Sequence, residues 1–336
     1  MTRPLRIVAR VHAMPPHHNA GAEHMLTAML RPLVERGHDV SVWLSRYQGG
    51  VLKEYEYDGV RVVPLGARLD FGSAVRHSSL VISHLESVPS TAALARGYGK
   101  PFAVICHNTF RETFANMAAG GTALAVYNSQ WMQAEADLYF ADHRTALRPP
   151  ASMIVRPPVA AKEYAAKKRG DRVTLVNCSR GKGGDTLRAL AASMPDTPFL
   201  AVEGGYDEQV TFDEFPNVEV VQHMDGHEMR DNVYARTRIL VMPSRYESWG
   251  RAGVEALASG IPVIAHPTPG LCESLAAGGI FVDRSDVAGY EATIRRLGEP
   301  GEYRLASKRA KERSAELNPA GDLTAWCDTV EEVCCA

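Results

Sequence analysis

At 336 residues the chain has room for two domains, taking roughly 150 residues for each. Its 37 basic and 39 acidic side chains leave a formal charge of −2, which gives no net-charge argument for a DNA-coating protein or a polybasic membrane anchor. A hydrophobic fraction of 45% with 23% charged residues is that of a globular protein and excludes long disorder.

In chain order, Arg6–His12 reads as a strand, followed by a loop holding Pro15, Pro16, His17, His18 and Asn19. Gly21–Glu35 reads as a helix with Met25, Met29, Leu30, Leu33 and Val34 on one stripe. Strands are predicted at Val40–Leu44, Val60–Pro64, Leu80–Ser83, Phe102–Cys106, Leu124–Tyr127 and Ile154–Arg156, with helices between most of them. Prolines at 149, 150, 157 and 158 then mark a break. A second series begins with Val173–Cys178, a Gly-rich loop and a helix from Thr186 to Ser193. It continues with strands at Phe199–Val202, Val218–Val221, Ile239–Met242, Val263–Ala265 and Ile280–Val282, and helix thereafter. Such βαβ series predict doubly wound parallel sheets, whose ligands sit beyond the strand C-termini.

Cysteines stand at Cys106, Cys178, Cys272, Cys327, Cys334 and Cys335 with no C-x-x-C pair, so neither a zinc ribbon nor a thioredoxin-type site is expected. A reduced compartment fits this usage. No apolar run approaches 18 residues, no signal peptide is read at the start, and the last four residues make no C-a-a-X box. A soluble, cytoplasmic protein is the expectation.

The stretch Pro243–Glu273 carries the most chemistry. If a helix opens near Trp249, the backbone N–H groups of Trp249, Gly250, Arg251 and Ala252 make an anion site suited to phosphate. Glu255, eight positions after Glu247, then accepts hydrogen bonds from a diol such as ribose, and Glu247 grips a second hydroxylated ring. The plain alternative is two carboxylates favouring a helix N-terminus. His107 follows a strand and is placed to hydrogen-bond a ligand, with a purely structural strand-end histidine as the plain alternative; His84, after another strand, is a weaker second candidate. His12, His17 and His18 are read as loop histidines, without ligand-quality spacing for a metal. The cations from Arg304 to Arg313 read as a solvated helix face. No Asp-x-Asp, P-loop, nucleophilic triad or G-x-G-x-x-G after the first strand occurs.

That stretch resembles the E-x7-E donor signature of the GT-B-fold glycosyltransferases of family 4, with Gly270 and Glu273 in its G-x-x-E. The resemblance extends to Asn19-Ala20-Gly21-Ala22-Glu23, Leu33–Val42, Ala103–His107, Asn128-Ser129 and Arg156–Val159. It implies a GT-B fold: two Rossmann-like domains facing a cleft, an acceptor-side domain over 1–158, a donor domain over 159–310, and a helical tail over 311–336 packing back toward the first domain. It also implies a retaining transferase using a nucleotide-diphosphate sugar, UDP- or GDP-linked, with no further cofactor and no metal. Glu247 would contact the transferred sugar and Glu255 the ribose. Arg180 and Lys182 would bind the diphosphate, Gly21 would let the first loop approach it, and His107 would face the reacting centre. Two features depart from the pattern: only Gly181 separates Arg180 from Lys182, which the family spaces further apart, and Ala20 stands where a second Gly is usual. An epimerase-like enzyme or an inactive binding subunit are the alternatives. The acceptor, assigned to loops 13–20, 45–58, 66–79 and 107–122, is left open among small molecule, lipid, glycan, protein and modified nucleic acid, as is the oligomeric state.

Overall fold

The computed structural model describes residues 3–18, 20–45, 53–65, 70–167 and 170–335. The chain forms two compact units, one from the residues up to Pro158 together with those from Pro319 onward, the other Val159–Asn318.

The first unit runs β1 (Arg6–Val11), α1 (Gly21–Glu35), β2 (Asp39–Leu44), β3 (Tyr55–Tyr57), β4 (Val60–Pro64), α2 (Phe71–Arg76), β5 (Leu80–His84), α3 (Val88–Gly97), β6 (Phe102–Cys106), α4 (Arg111–Gly120), β7 (Leu124–Tyr127), α5 (Gln130–Asp142) and β8 (Ala151–Ile154). Its sheet order is β3-β4-β2-β1-β5-β6-β7-β8, parallel except for β3, which pairs antiparallel with β4 at the edge. Strands buried on both faces explain the continuous apolar runs, such as Phe102–Cys106, in which every residue is buried. One face packs Leu26, Met29, Leu30 and Leu33 of α1, and the other packs Val88, Phe114 and Met117.

The second unit runs α6 (Ala161–Tyr164), β9 (Arg172–Val176), α7 (Gly184–Ser193), β10 (Phe199–Val202), β11 (Val218–Val221), α8 (Gly226–Asn232), β12 (Thr237–Met242), α9 (Arg251–Ala258), β13 (Val263–Ala265), α10 (Pro269–Leu275), β14 (Gly279–Phe281), α11 (Val287–Arg296) and α12 (Pro300–Glu316). Its sheet is wholly parallel, in the order β11-β10-β9-β12-β13-β14. The last helix, α13 (Ala320–Cys335), returns to the first unit. There Trp326 is fully buried and its Nε1 donates to Met29 O at 2.9 Å. Asp322 anchors the same helix by accepting two bonds from the Arg156 guanidinium.

Each sheet has one switch point, where chain order reverses and the loops on either side splay apart. In the first it lies between β1 and β5, in the second between β9 and β12.

Most strand and helix bounds shift by two residues or fewer, and larger differences are these. β8 ends at Ile154 instead of beginning there, because its register is set by pairing with β7 over Ala151–Ile154. β3 was not expected. α12 runs unbroken through position 310 to Glu316, so a division at 310/311 falls inside a helix.

Candidate functional site

At the second switch point the loop after β9 and the loop after β12 are tied together. Arg245 N donates to Gly181 O at 2.8 Å, joining the two backbones. Lys182 Nζ lies 2.6 Å from Glu247 Oε1, which also accepts from Ser244 Oγ at 3.0 Å. Glycines permit this closeness. Gly183 has φ +106, and a Cβ there would lie 2.2 Å from the Pro243 ring. At Gly270 a Cβ would meet the backbone oxygen of Glu247 at 2.3 Å, so α10 presses on the very loop that presents Glu247. Arg180 stands apart: its side chain is 75% exposed, and its Nη1 donates to both oxygens of Asp185 at 2.9 Å. Of the expected basic pair, then, Lys182 reaches Glu247 while Arg180 faces solvent.

The helix carrying Glu255 begins two residues later than expected. Gly250 is its N-cap at φ +80, and α9 starts at Arg251. Trp249 is not helical but buried at 3% exposure among Val254, Leu257 and Leu271, so its backbone belongs to the loop and its ring to the core. A Cβ on Gly250 would sit 2.4 Å from Leu271 Cδ2, which makes glycine a steric requirement there. Arg251 points inward. Its Nε donates to Glu255 Oε1 at 2.6 Å and its Nη2 to the Tyr164 hydroxyl at 2.7 Å. Tyr234 donates to Glu255 Oε2 at 2.6 Å. Burial lowers the Arg251 pKa, but the facing Glu255 carboxylate outweighs this and the net shift is upward; Tyr164 is pushed up to about 12, chiefly by burial. Glu255 is thus a buried carboxylate with each oxygen held by one donor. Tyr234 and Tyr164 were missed because they lie 21 and 91 positions from Glu255 in sequence and carry no motif.

At the first switch point four histidines gather. His84 ends β5, wholly buried, and its Nδ1 lies 2.9 Å from Nε2 of half-buried His107, which follows β6. Burial pushes the His107 pKa down to about 4 and that of His84 well below its usual value, so both rings are neutral near pH 7. One proton is then shared between them. His84 Nε2 is buried and has no hydrogen-bond partner among the described residues. An orphaned buried N–H is rarer than an orphaned acceptor, so His84 carries its proton on Nδ1 and donates it to His107. Beside His107 a cavity of about 320 Å³ is lined by Glu86, Asn108, Glu112, Thr113 and Asn116, among others.

The reading of the first-loop histidines needs correction. Only His17 is an exposed loop residue, edge-on to Tyr55 at 5.1 Å. His12 and His18 are buried at 8% and 5% exposure beside Glu23 at 1%. The loop turns back through His18 N to Met14 O, 3.2 Å, and this closes a sequence gap of five residues onto the end of β1. Gly21 opens α1, and a Cβ there would meet nothing within 4 Å, so no packing within the chain demands glycine. Ser129 caps α5 by accepting from Met132 N. Asn19, residues 46–52 of the expected acceptor loop 45–58, and residues 66–69 of loop 66–79 lie outside the described residues.

Comparison with known proteins decides the family of the segment around Glu247 and Glu255. Residues 214–313 match the glycosyl transferases group 1 family. This group 1 segment includes Glu247, Gly250, Glu255 and Gly270 but not Lys182 or His107. Over 170 residues the chain is 31% identical to D-inositol 3-phosphate glycosyltransferase of Mycolicibacterium smegmatis, covering 50% of this chain and 33% of that protein. Alpha-maltose-1-phosphate synthase of the same organism is 30% identical over 171 residues, 48% of this chain and 44% of that protein. The chain therefore spans less than half the length of these relatives. Among solved structures, sucrose-phosphate synthase from Thermosynechococcus elongatus aligns with a TM-score of 0.77 at 16% identity, covering 97% of this chain and 98% of that one. Anabaena HepE in complex with UDP-glucose aligns with a TM-score of 0.75 at 16% identity and the same coverage. These likenesses establish the fold as GT-B, two parallel-sheet α/β units with a helical C-terminal tail, around the group 1 segment. Among the described residues no helix is long and apolar enough to cross a membrane.

Proposed function

We propose that this chain is a retaining glycosyltransferase that moves a hexose-type sugar from a nucleotide-diphosphate donor to an acceptor hydroxyl, without a metal at the diphosphate. The observation that carries this reading is the Lys182–Glu247 pair, 2.6 Å apart at the switch point of the second sheet. A cation and a carboxylate so placed suit a departing diphosphate and a sugar hydroxyl respectively.

In this reading Lys182 takes the negative charge that grows on the leaving phosphate, and Arg180 swings from Asp185 to join it. Glu247 holds the transferred sugar. Glu255 takes the ribose: a carboxylate oxygen has two lone pairs, so hydroxyls add to the bonds from Arg251 and Tyr234 without breaking them. His107 offers its Nδ1–H to an oxygen near the reacting carbon. Attack on the same face, with the leaving phosphate receiving the acceptor proton, gives retention and calls for no protein base. The acceptor lies over the cavity beside His107, and its class stays open. The protein acts in the cytoplasm, where nucleotide sugars are at hand.

Calorimetry on the full chain with UDP-, GDP-, ADP- and TDP-sugars, with and without EDTA, tests the proposal. UDP-glucose comes first, since a solved neighbour is a complex with it. The expected result is one nucleotide sugar bound with an affinity that EDTA leaves unchanged, and with stabilisation of the native state by mass action. No binding by any donor overturns the reading, and turnover of donor without an acceptor turns it into an epimerase.

A further inference from the structure

The cluster of His12, His18 and Glu23 plays no part in the proposed transfer. One ligand atom from each lies within 4.8 Å of the others, and all three side chains are buried. They come from three places that the fold pins independently: the residue after β1, the loop turn, and the first turn of α1.

We propose that these three residues bind a divalent transition-metal ion of the zinc type, which staples the β1–α1 loop onto the sheet. Two imidazoles and one carboxylate make an N₂O set that suits zinc and disfavours magnesium or calcium, which take oxygen ligands. The plain alternative is an ion pair, since His12 Nε2 is 2.8 Å from Glu23 Oε1. That pair involves two of the residues, and His18, buried beside them, supplies a third ligand atom within 4.8 Å of both. Tetrahedral ligands at 2.0–2.1 Å from zinc stand about 3.3 Å apart, so the His12–Glu23 pair opens by about half an ångström while the ligand atoms, spread over as much as 4.8 Å, draw in around the ion. His12 Nδ1 faces Glu86 Oε1 at 3.9 Å, and the His84 ring lies 5.6 Å from the His12 ring. The ion would belong to the first unit, and its role is to fix the loop that leads into Gly21.

The test is metal binding by the full-length, tag-free chain, read optically and by elemental analysis, so its outcome is independent of sugar transfer. After dialysis against chelator, titration with Co²⁺ is expected to give one equivalent bound, with the strong visible absorption of four-coordinate cobalt, and Zn²⁺ is expected to displace it. His18→Ala and Glu23→Gln should weaken Co²⁺ binding by more than about 100-fold, whereas His17→Ala leaves it unchanged. Circular dichroism of each variant shows that the fold persists. A wild-type chain that develops no cobalt spectrum overturns the proposal without recourse to any variant. So does cobalt binding that survives both substitutions, which would mark adventitious metal elsewhere.

Discussion

Lys182 and Glu247, 65 positions apart in sequence, meet at 2.6 Å because two loops at one switch point are joined backbone to backbone through Arg245 and Gly181. The salt bridge holds a cation and a carboxylate together, and under the proposed function this organises the donor loop before any ligand arrives. Glu247→Gln is expected to lower kcat by about 10²–10³, the range for losing one well-placed polar contact to a transition state, with little change in melting temperature. Steady-state kinetics with the donor found by calorimetry gives the comparison.

Arg180 and Lys182 are predicted to differ. Arg180 is bound in the open to Asp185, and exposed pairs contribute about 0–1 kcal/mol. Arg180→Ala should therefore leave stability unchanged and weaken donor binding modestly, while Lys182→Ala weakens it by at least tenfold more. Equal effects in calorimetry would show that Arg180 contributes as much as Lys182 at the diphosphate.

Gly270→Ala puts a methyl group 2.3 Å from the Glu247 carbonyl oxygen, and the three nearest atoms, from Glu247 and Ser248, are all backbone. The loop has to shift, at about 1–3 kcal/mol, and it carries Glu247 with it. A lower melting temperature together with weaker donor binding is expected, although residue 270 need not touch the ligand. A variant that melts lower but binds donor normally would place Glu247 outside the site.

Arg251 and Glu255 form a buried pair, with side-chain exposures of 13% and 8%. Arg251→Met keeps the packing against Tyr164 but strands the carboxylate, so a loss of about 3–5 kcal/mol is expected in denaturant unfolding. The double variant Arg251→Met, Glu255→Leu should recover most of it. No recovery would mean that Glu255 is held by more than the arginine and Tyr234.

Under the proposed function His84, whose Nδ1 lies 2.9 Å from His107 Nε2, is a positioning residue for His107. His84→Asn keeps an N–H near the place of Nδ1 and should retain most of kcat, whereas His84→Leu should lower kcat with KM for donor unchanged. Both variants remove the buried ring, so a role in packing alone would affect them alike.

The fold was largely legible because strands buried on both faces are written as unbroken apolar runs: Phe102–Cys106, Leu124–Tyr127 and Phe199–Val202 begin and end where the pattern does. β3 was hidden because Tyr-Glu-Tyr is an edge strand with no buried residue. β8 was misplaced because Ala-Ser-Met-Ile has little intrinsic strand preference, and pairing with β7 decides its register. Glu247, Glu255 and His107 were singled out from a contiguous motif or from their place after a strand. The start of α9 was misjudged because an aromatic ring before a helix reads alike whether it caps the helix or fills the core. Tyr164, Tyr234 and the burial of His18 depend on chain closure, which no local spacing records.

The return of α13 to the first unit makes the second unit an insertion within the first, entered at Pro158/Val159 and left at Asn318/Pro319. A fragment ending near Pro158 therefore lacks Trp326 and Val330 from its own core and is a poor candidate for separate expression. The stretch 159–318, by contrast, is a continuous cassette. Under the proposed assignment, exchanging it at those two junctions for the corresponding stretch of a relative would swap the nucleotide-sugar preference while leaving both ends of the polypeptide and the acceptor side untouched.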